Sequence, residues 1–239
     1  MKKNFTEHYN KEFRAFALSK IFESSDKSTH IHILRREGEL KQFSDMLKFF
    51  NDKVEVIVYP AWDCLPYSNI SPRKEIISKR YSALRALEGV SKSYKILLLS
   101  VDSVIQKIVP IKEILQKSFS LKMNQKVILS NLIEWLEKTG YSRQTNVYSI
   151  GEYALRGGIL DVFVPEIKYP IRLDFFGTKL EKIRTFDPSS QRSNGSIKAV
   201  NIFPVSEIIL DEEAINIFRQ NYRRTIGTVK TDDRVYNSI

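Results

Sequence analysis

Between positions 156 and 176 the chain carries two arginines, two aspartates and a phenylalanine at spacings that could do recognition chemistry: Arg156, Asp161, Arg172, Asp174 and Phe176. A planar guanidinium can grip a carboxylate through two parallel hydrogen bonds. An unpaired aromatic ring beside such groups on an open sheet face has the composition of a protein-binding hot spot. Asp161 and Asp174 could instead serve as a general acid and base. With Arg172 close by, ionised and paired carboxylates are favoured, which is structural or recognitional chemistry rather than proton transfer. The plainer alternative is a solvated sheet face with one ordinary ion pair, worth little.

Residues 151–176, GEYALRGGILDVFVPEIKYPIRLDFF, must position these groups, and they read as a tight antiparallel hairpin. Pro165 and Pro170 stop the ladder on either side of a reversal from Val164 to Tyr169, leaving a four-residue loop. In that register Val164 faces Tyr169, Val162 faces Ile171, Leu160 faces Leu173 and Gly158 faces Phe175. Leu160, Val162, Ile171, Leu173 and Phe175 then form a core face. By alternation Ile159, Asp161, Phe163, Arg172, Asp174 and Phe176 share the opposite face, with Asp161 across from Arg172. A bulge at Gly157-Gly158 would swing Arg156 onto it as well.

Other chemistries find less support. His30 and His32 lie two apart on one strand face, but His8 is the only other histidine and Cys64 the only thiol, so no metal set is expected. A single cysteine has no internal disulfide partner, which suits a reducing compartment. Gly38, Gly89 and Gly140 are the only glycines before Gly151, and none leads into the Lys-Ser/Thr pair of a phosphate-cradling loop. Gly-x-Ser-x-Gly, His-Glu-x-x-His and the dinucleotide fingerprint are missing too. The expectation is a chain without catalytic residues, metal or nucleotide site.

With 239 residues and 42% hydrophobic side chains the chain can bury a core in one or two domains. No apolar run approaches the roughly 18 to 20 residues that cross a bilayer, and the N-terminus lacks the apolar centre of a secretion signal. A cytoplasmic protein without a membrane partner is expected. The net charge of +10 raises an alternative function, a non-specific DNA-binding domain. That charge is diffuse: 20 basic and 14 acidic side chains over residues 1–116, 13 and 8 over 117–203, 5 and 6 over 204–239.

The surrounding elements divide into three segments. Residues 5–23 have helical periodicity, 29–34 read as a strand, 39–50 as a helix with Leu40, Phe43, Leu47 and Phe50 on one face, and 54–59 as a second strand. This βαβ order predicts a parallel sheet. The proline-broken stretch 60–72 is expected to cover a sheet end with its rings and Leu65. Ser71-Pro72 should start a helix that runs to Gly89, with Arg73, Lys79, Arg80 and Arg85 among its polar positions. Tyr94–Leu99 is a buried strand, a helical piece ends near Pro110, and 111–117 is a connector. From 118 the pattern becomes short strands (118–123, 126–129, 180–186, 197–203) with one helix, 130–138, capped by Ser130 and closed by Gly140. Gly177-Thr178 is a turn and 187–195 a polar loop. After Pro204 a helix with Asp211 as N-cap shows Ile215, Phe218 and Tyr222 on one face.

Taken together, these residues resemble a known family. Tyr59-Pro60-Ala61-Trp62-Asp63-Cys64-Leu65-Pro66-Tyr67, Ser71-Pro72 with Ile76-Ile77-Ser78-Lys79-Arg80, Gly151-Glu152-Tyr153 with Arg156-Gly157, Arg172-Leu173-Asp174-Phe175-Phe176 and Phe186-Asp187 with Gln191-Arg192 are similar, in order and spacing, to the UvrB-like module of bacterial transcription-repair coupling factors. The resemblance covers nearly the whole chain. It implies an α/β architecture: a degenerate RecA-like parallel-sheet domain lacking ATPase motifs (1–117), an inserted α+β antiparallel-sheet domain that binds the repair protein UvrA (118–203), and the start of the returning first domain, cut short (204–239). It implies that Arg156, Arg172 and Phe176 contact UvrA, with Asp161 and Asp174 supporting them on the same face. The implied role is a non-enzymatic adaptor that recruits UvrA to stalled transcription complexes. Full-length members bind ATP, RNA polymerase and double-stranded DNA through domains that these residues do not include.

Overall fold

The structure, a computed structural model, describes residues 10–21, 29–65, 70–88, 94–209 and 212–228, together with 233 and 236. The chain divides into two units, residues 1–114 and 115–239. The first alternates helix and strand: α1 (Lys11–Ile21), β1 (Thr29–Leu34), α2 (Leu40–Phe50), β2 (Glu55–Tyr59), α3 (Lys74–Glu88), β3 (Lys95–Ser100), the one-turn α4 (Val101–Val104) and α5 (Ile111–Gln116), which runs past the division. Its strands are all parallel in the order β1-β3-β2. β3 is central and buried at every residue, which is why it reads as a continuous apolar run. On one sheet face Ile96 and Leu98 pack with Leu34, Leu40, Phe43 and Leu47; on the other Leu97 and Leu99 pack with Ile57, Tyr59 and Ala83.

Several local expectations for this unit are corrected. α3 starts at Lys74 rather than at Ser71-Pro72, and Asp63 receives the Arg73 backbone N–H at 3.0 Å and pairs with its guanidinium. Leu65 covers no sheet end, being 79% exposed, and 111–116 is helical rather than a connector. Arg80, assigned to the polar side of α3, is fully buried. Its guanidinium donates to the carbonyls of Pro60 (2.9 Å) and Lys107 (3.3 Å) and to Gln106 Oε1 (3.0 Å), and it lies over the rings of Tyr59 and Trp62. Beside it Glu37 accepts from Ala61 N and Ser100 Oγ. This polar network fills the carboxyl ends of all three strands, the edge at which open α/β sheets generally take ligands.

The second unit contains β4 (Phe119–Lys122), α6 (Leu129–Lys138), β5 (Ser142–Arg143), β6 (Glu152–Arg156), β7 (Ile159–Val162), β8 (Ile171–Phe176), β9 (Lys179–Phe186), β10 (Ser193–Ser196), β11 (Ala199–Ile202) and α7 (Glu212–Ile226). Six strands form one sheet, β10-β9-β8-β7-β6-β5, antiparallel except for the β5–β6 pair. β4 and β11 make a separate antiparallel pair. Leu160, Val162, Ile171 and Leu173 are wholly buried in a core with Leu132 and Leu136 of α6, and Phe175 packs on its margin, so the expected core face is the observed one. The Tyr153 hydroxyl donates to Glu137 and so ties β6 to α6; burial and this bond push its pKa up to about 12. The antiparallel α+β character agrees with the sequence reading.

Details again differ. Lys126–Leu129 forms no strand beyond a single bridge from Lys126 to Lys179, and Ser193–Ser196 pairs with β9 although it lies in the polar stretch. α6 begins at Leu129 with Ile128 at its cap, so Ser130 is inside the helix. The reversal between β7 and β8 is longer than expected, spanning residues 163–170. Half-buried Ile215, Phe218 and Tyr222 mark the inner side of α7; its proposed cap Asp211, like Gly89 and His8, lies outside the described residues. No helix among the described residues is long and apolar enough to cross a membrane, and no group of three or more His, Cys, Asp or Glu among them could hold a metal ion. His32, one of the pair weighed as a ligand, stacks on Phe43 with ring centroids 4.8 Å apart.

Candidate protein-docking site

Gly157-Gly158 is a hairpin turn, not a bulge. It separates β6 from β7, so the expected first strand is two strands, and Gly157 takes φ +59 there. The register nevertheless brings Arg156 to the anticipated face. Arg156 pairs with Ile159, Ile159 with Asp174, and Asp174 with Lys182; one step along, Ala154, Asp161, Arg172 and Arg184 form the next row across the sheet. The expected pairs Val162–Ile171, Leu160–Leu173 and Asp161–Arg172 are those observed, and the Phe175 N–H donates to Gly158 O at 2.8 Å. The irregularity lies elsewhere: the β8–β9 register shifts between Asp174 and Phe175, leaving Glu181 as the extra residue before Phe175 meets Leu180.

This face is half covered. At one end the segments 144–150 and 187–192 lie over it, and Val147, Ala154, Phe163 and Phe186 form a small buried cluster. The Glu152 carboxylate accepts the N–H groups of Tyr148 and Ser149 at 2.8 and 2.9 Å, which folds the first segment back. The Asp187 carboxylate, accepting from Ser189 N and from Ser190 N and Oγ, folds the second, and those bonds hold its pKa below the usual range. Asp161 and Arg172 belong to the covered end. Arg172 Nε and Nη2 reach the two Asp161 oxygens at 2.7 and 2.9 Å, Nη1 donates to Gln191 O at 3.3 Å, and the guanidinium lies 4.6 Å from the Phe186 ring centroid. Its side chain is 15% exposed. The Asp161 hydrogen bond is the chief reason its pKa is raised further.

The other end is open. Phe176 is 77% exposed, Ile159 is partly exposed beside it, and Arg156 reaches back to donate to Thr145 O at 2.8 Å and to Asn146 Oδ1. Asp174 is engaged by Arg184, with Nη2 2.8 Å from its Oδ2. Arg172 and Arg184 are direct cross-strand neighbours, and the like charges are tolerated because each has its own aspartate. Each of the two aspartates is thus engaged by an arginine, the pairing geometry the sequence reading expected. What that reading missed is the second layer: Arg184, Asn146 and Gln191. Arg184 was recoverable from strand alternation; the other two sit in loops without periodicity.

The fold and the site define a class: an α+β domain whose twisted antiparallel sheet shows a guanidinium- and phenyl-bearing face at its open end, in a chain that also carries a small parallel α/β unit. Residues 119–208 match the model of the UvrB interaction domain family. The chain is a relative of the transcription-repair coupling factors. It is 32% identical over 226 residues to the transcription-repair-coupling factor of Haemophilus influenzae, covering 94% of this chain and 19% of that protein. It is 31% identical over 206 residues to the Escherichia coli factor (86% and 17%) and 30% identical over 228 residues to that of Rickettsia bellii (95% and 20%). The chain therefore spans about a fifth of the length of these relatives. The kinship expected from the motifs is borne out.

Proposed function

We propose that this chain is the adaptor portion of a transcription-repair coupling factor, recruiting the excision-repair protein UvrA to stalled transcription complexes through the open end of the β6–β9 face. The observation that carries this reading is Phe176, 77% exposed on the same sheet face as Arg156, within the residues that match the UvrB interaction domain family. Phe176 is the apolar anchor, and Arg156 supplies a fork for a partner carboxylate. Arg172 acts differently from a free cation. Three of its five N–H groups are committed to Asp161 and Gln191, so it offers a fixed edge with one N–H left on each terminal nitrogen. Asp161 and Asp174 support the face by holding the arginines in place.

In this reading residues 1–117 are a helicase-like α/β domain without a phosphate loop, 118–203 the docking domain and 204–239 the start of the returning first domain. No catalysis and no cofactor are assigned to this segment; ATP, RNA polymerase and duplex DNA belong to other parts of the whole protein. Titration calorimetry with purified UvrA tests the proposal. Phe176→Ala and Arg156→Ala should each weaken binding about tenfold or more. Unchanged affinity in both overturns it. Duplex-DNA binding that is lost between about 50 and 200 mM salt and survives both substitutions would support the DNA-binding alternative.

A further inference from the structure

Gln191 carries two local costs at once. Its backbone sits at φ +57, a region that side chains other than glycine, asparagine and aspartate rarely adopt, and its Oε1 is buried with no hydrogen-bond partner. Costs of this kind persist where the surrounding structure enforces them and are common at functional sites. The rest of the residue is fully used. Its N–H donates to Asp187 O at 2.8 Å, and its Nε2 donates to Pro188 O at 2.7 Å and Val147 O at 3.1 Å. Its own carbonyl receives Arg172 Nη1. Exchanging the amide oxygen and nitrogen would point an acceptor at two carbonyls, so the orientation is fixed by its partners.

Val147 is wholly buried, and the two residues immediately before it, Thr145 and Asn146, are those that hold the Arg156 guanidinium. Gln191 thus contacts Arg172 directly through its carbonyl and is linked to Arg156 through the segment 145–147. We infer that Gln191 is a positioning residue that sets the spacing of the Arg156 and Arg172 guanidinium groups, so that two acidic groups of a partner are recognised at one fixed separation. Its left-handed backbone turns the carbonyl toward Arg172 while the side chain reaches the 145–147 segment, and a relaxed backbone would serve only one of these. The inference rests on the docking reading above.

The test is a double-mutant cycle with UvrA. Gln191→Asn introduces a residue type that tolerates positive φ but shortens the reach to Val147 O by one methylene. It should weaken binding about tenfold while leaving the thermal unfolding midpoint within a few degrees of wild type. Gln191→Gly, which removes the backbone strain together with the amide, should weaken binding to the same degree. Combined with Arg156→Ala, Gln191→Asn should add little further loss; combined with Phe176→Ala, it should be additive. Full additivity with Arg156→Ala, or wild-type affinity in both Gln191 variants, overturns the positioning role while the docking site stands. If Arg156→Ala and Phe176→Ala themselves bind normally, the docking reading fails instead.

Discussion

Asp161 and Arg172 face each other across β7 and β8 and close a two-pronged ion pair at 2.7 and 2.9 Å, with Asp161 only 2% exposed. Removing one partner leaves a buried charge without compensation. Arg172→Ala should therefore destabilise the second unit by about 3 kcal/mol, whereas replacing the pair together, Asp161→Leu with Arg172→Met, should recover most of that loss. Urea unfolding of the three variants checks this. It also means that loss of partner binding in Arg172→Ala alone is not a clean measure of contact, which is why the exposed Arg156 and Phe176 are the better probes.

Gly158 is pressed against β8. A Cβ built there would lie 2.7 Å from the Phe175 carbonyl oxygen, which cannot swing away without breaking the ladder. Gly158→Ala should cost about 2 kcal/mol and shift the β6–β7 turn. Gly157 has open space around it but φ +59, so Gly157→Asn should be milder than Gly157→Val. Amide chemical shifts of residues 156–160 would show whether only Gly158→Ala displaces the turn.

Arg80 spans the carboxyl ends of the parallel strands, and its loss would take a donor from the Pro60 and Lys107 carbonyls, while Gln106 Oε1 would keep the Trp62 N–H. Arg80→Ala should destabilise the first unit by about 3 kcal/mol or more, through those unsatisfied acceptors and the space left between Tyr59 and Trp62. Tryptophan fluorescence, with Trp62 beside the site and Trp135 in the second unit, follows the transition. A stability loss below about 1 kcal/mol would refute the assignment.

Burial, assisted by Arg14, lowers the pKa of His32 to about 4 from 6.5. The unfolded chain takes up a proton between those values that the folded chain refuses. The stabilisation is complete above about pH 6.5 and drains away as the pH falls toward 4, amounting to roughly 2 to 3 kcal/mol. His32→Phe should retain contact with Phe43 and lose less stability than wild type between pH 7 and pH 4.5 in urea titrations. Parallel losses in both proteins would place the pH dependence in other groups.

Where burial follows periodicity, the sequence was a good guide. The alternation in 159–162 and 171–176 gave the core face, the pairing register and the contact between Asp161 and Arg172, because a one-residue slip would have exposed Leu160 and Leu173. Gly157-Gly158 was misread because the prolines around Val164 offered one obvious reversal. An unbroken strand over 151–164 is nevertheless far longer than the usual five or six residues, which argues for a second turn. Arg80 was hidden by its charge: its burial depends on carbonyls from residues 60 and 107, distant in sequence, that no helical pattern reports. For the same reason the loop contacts of Asn146 left no trace in the spacing of residues, and Gln191 entered only through the family resemblance, with no role attached.

The six-stranded sheet runs from β5 to β10 with every spatial neighbour also a neighbour along the chain. Such pairings close short loops and pay little entropy before contacts form, so β6 to β10 can assemble hairpin by hairpin, with β5 added in parallel. The pairing of β4 with β11 joins residues about eighty positions apart and must wait for the chain between them. The β6–β9 face should thus be complete before its domain is closed. Pulse-labelled hydrogen exchange during refolding should protect the amides of Leu160 and Leu173 earlier than those of Leu121 and Val200.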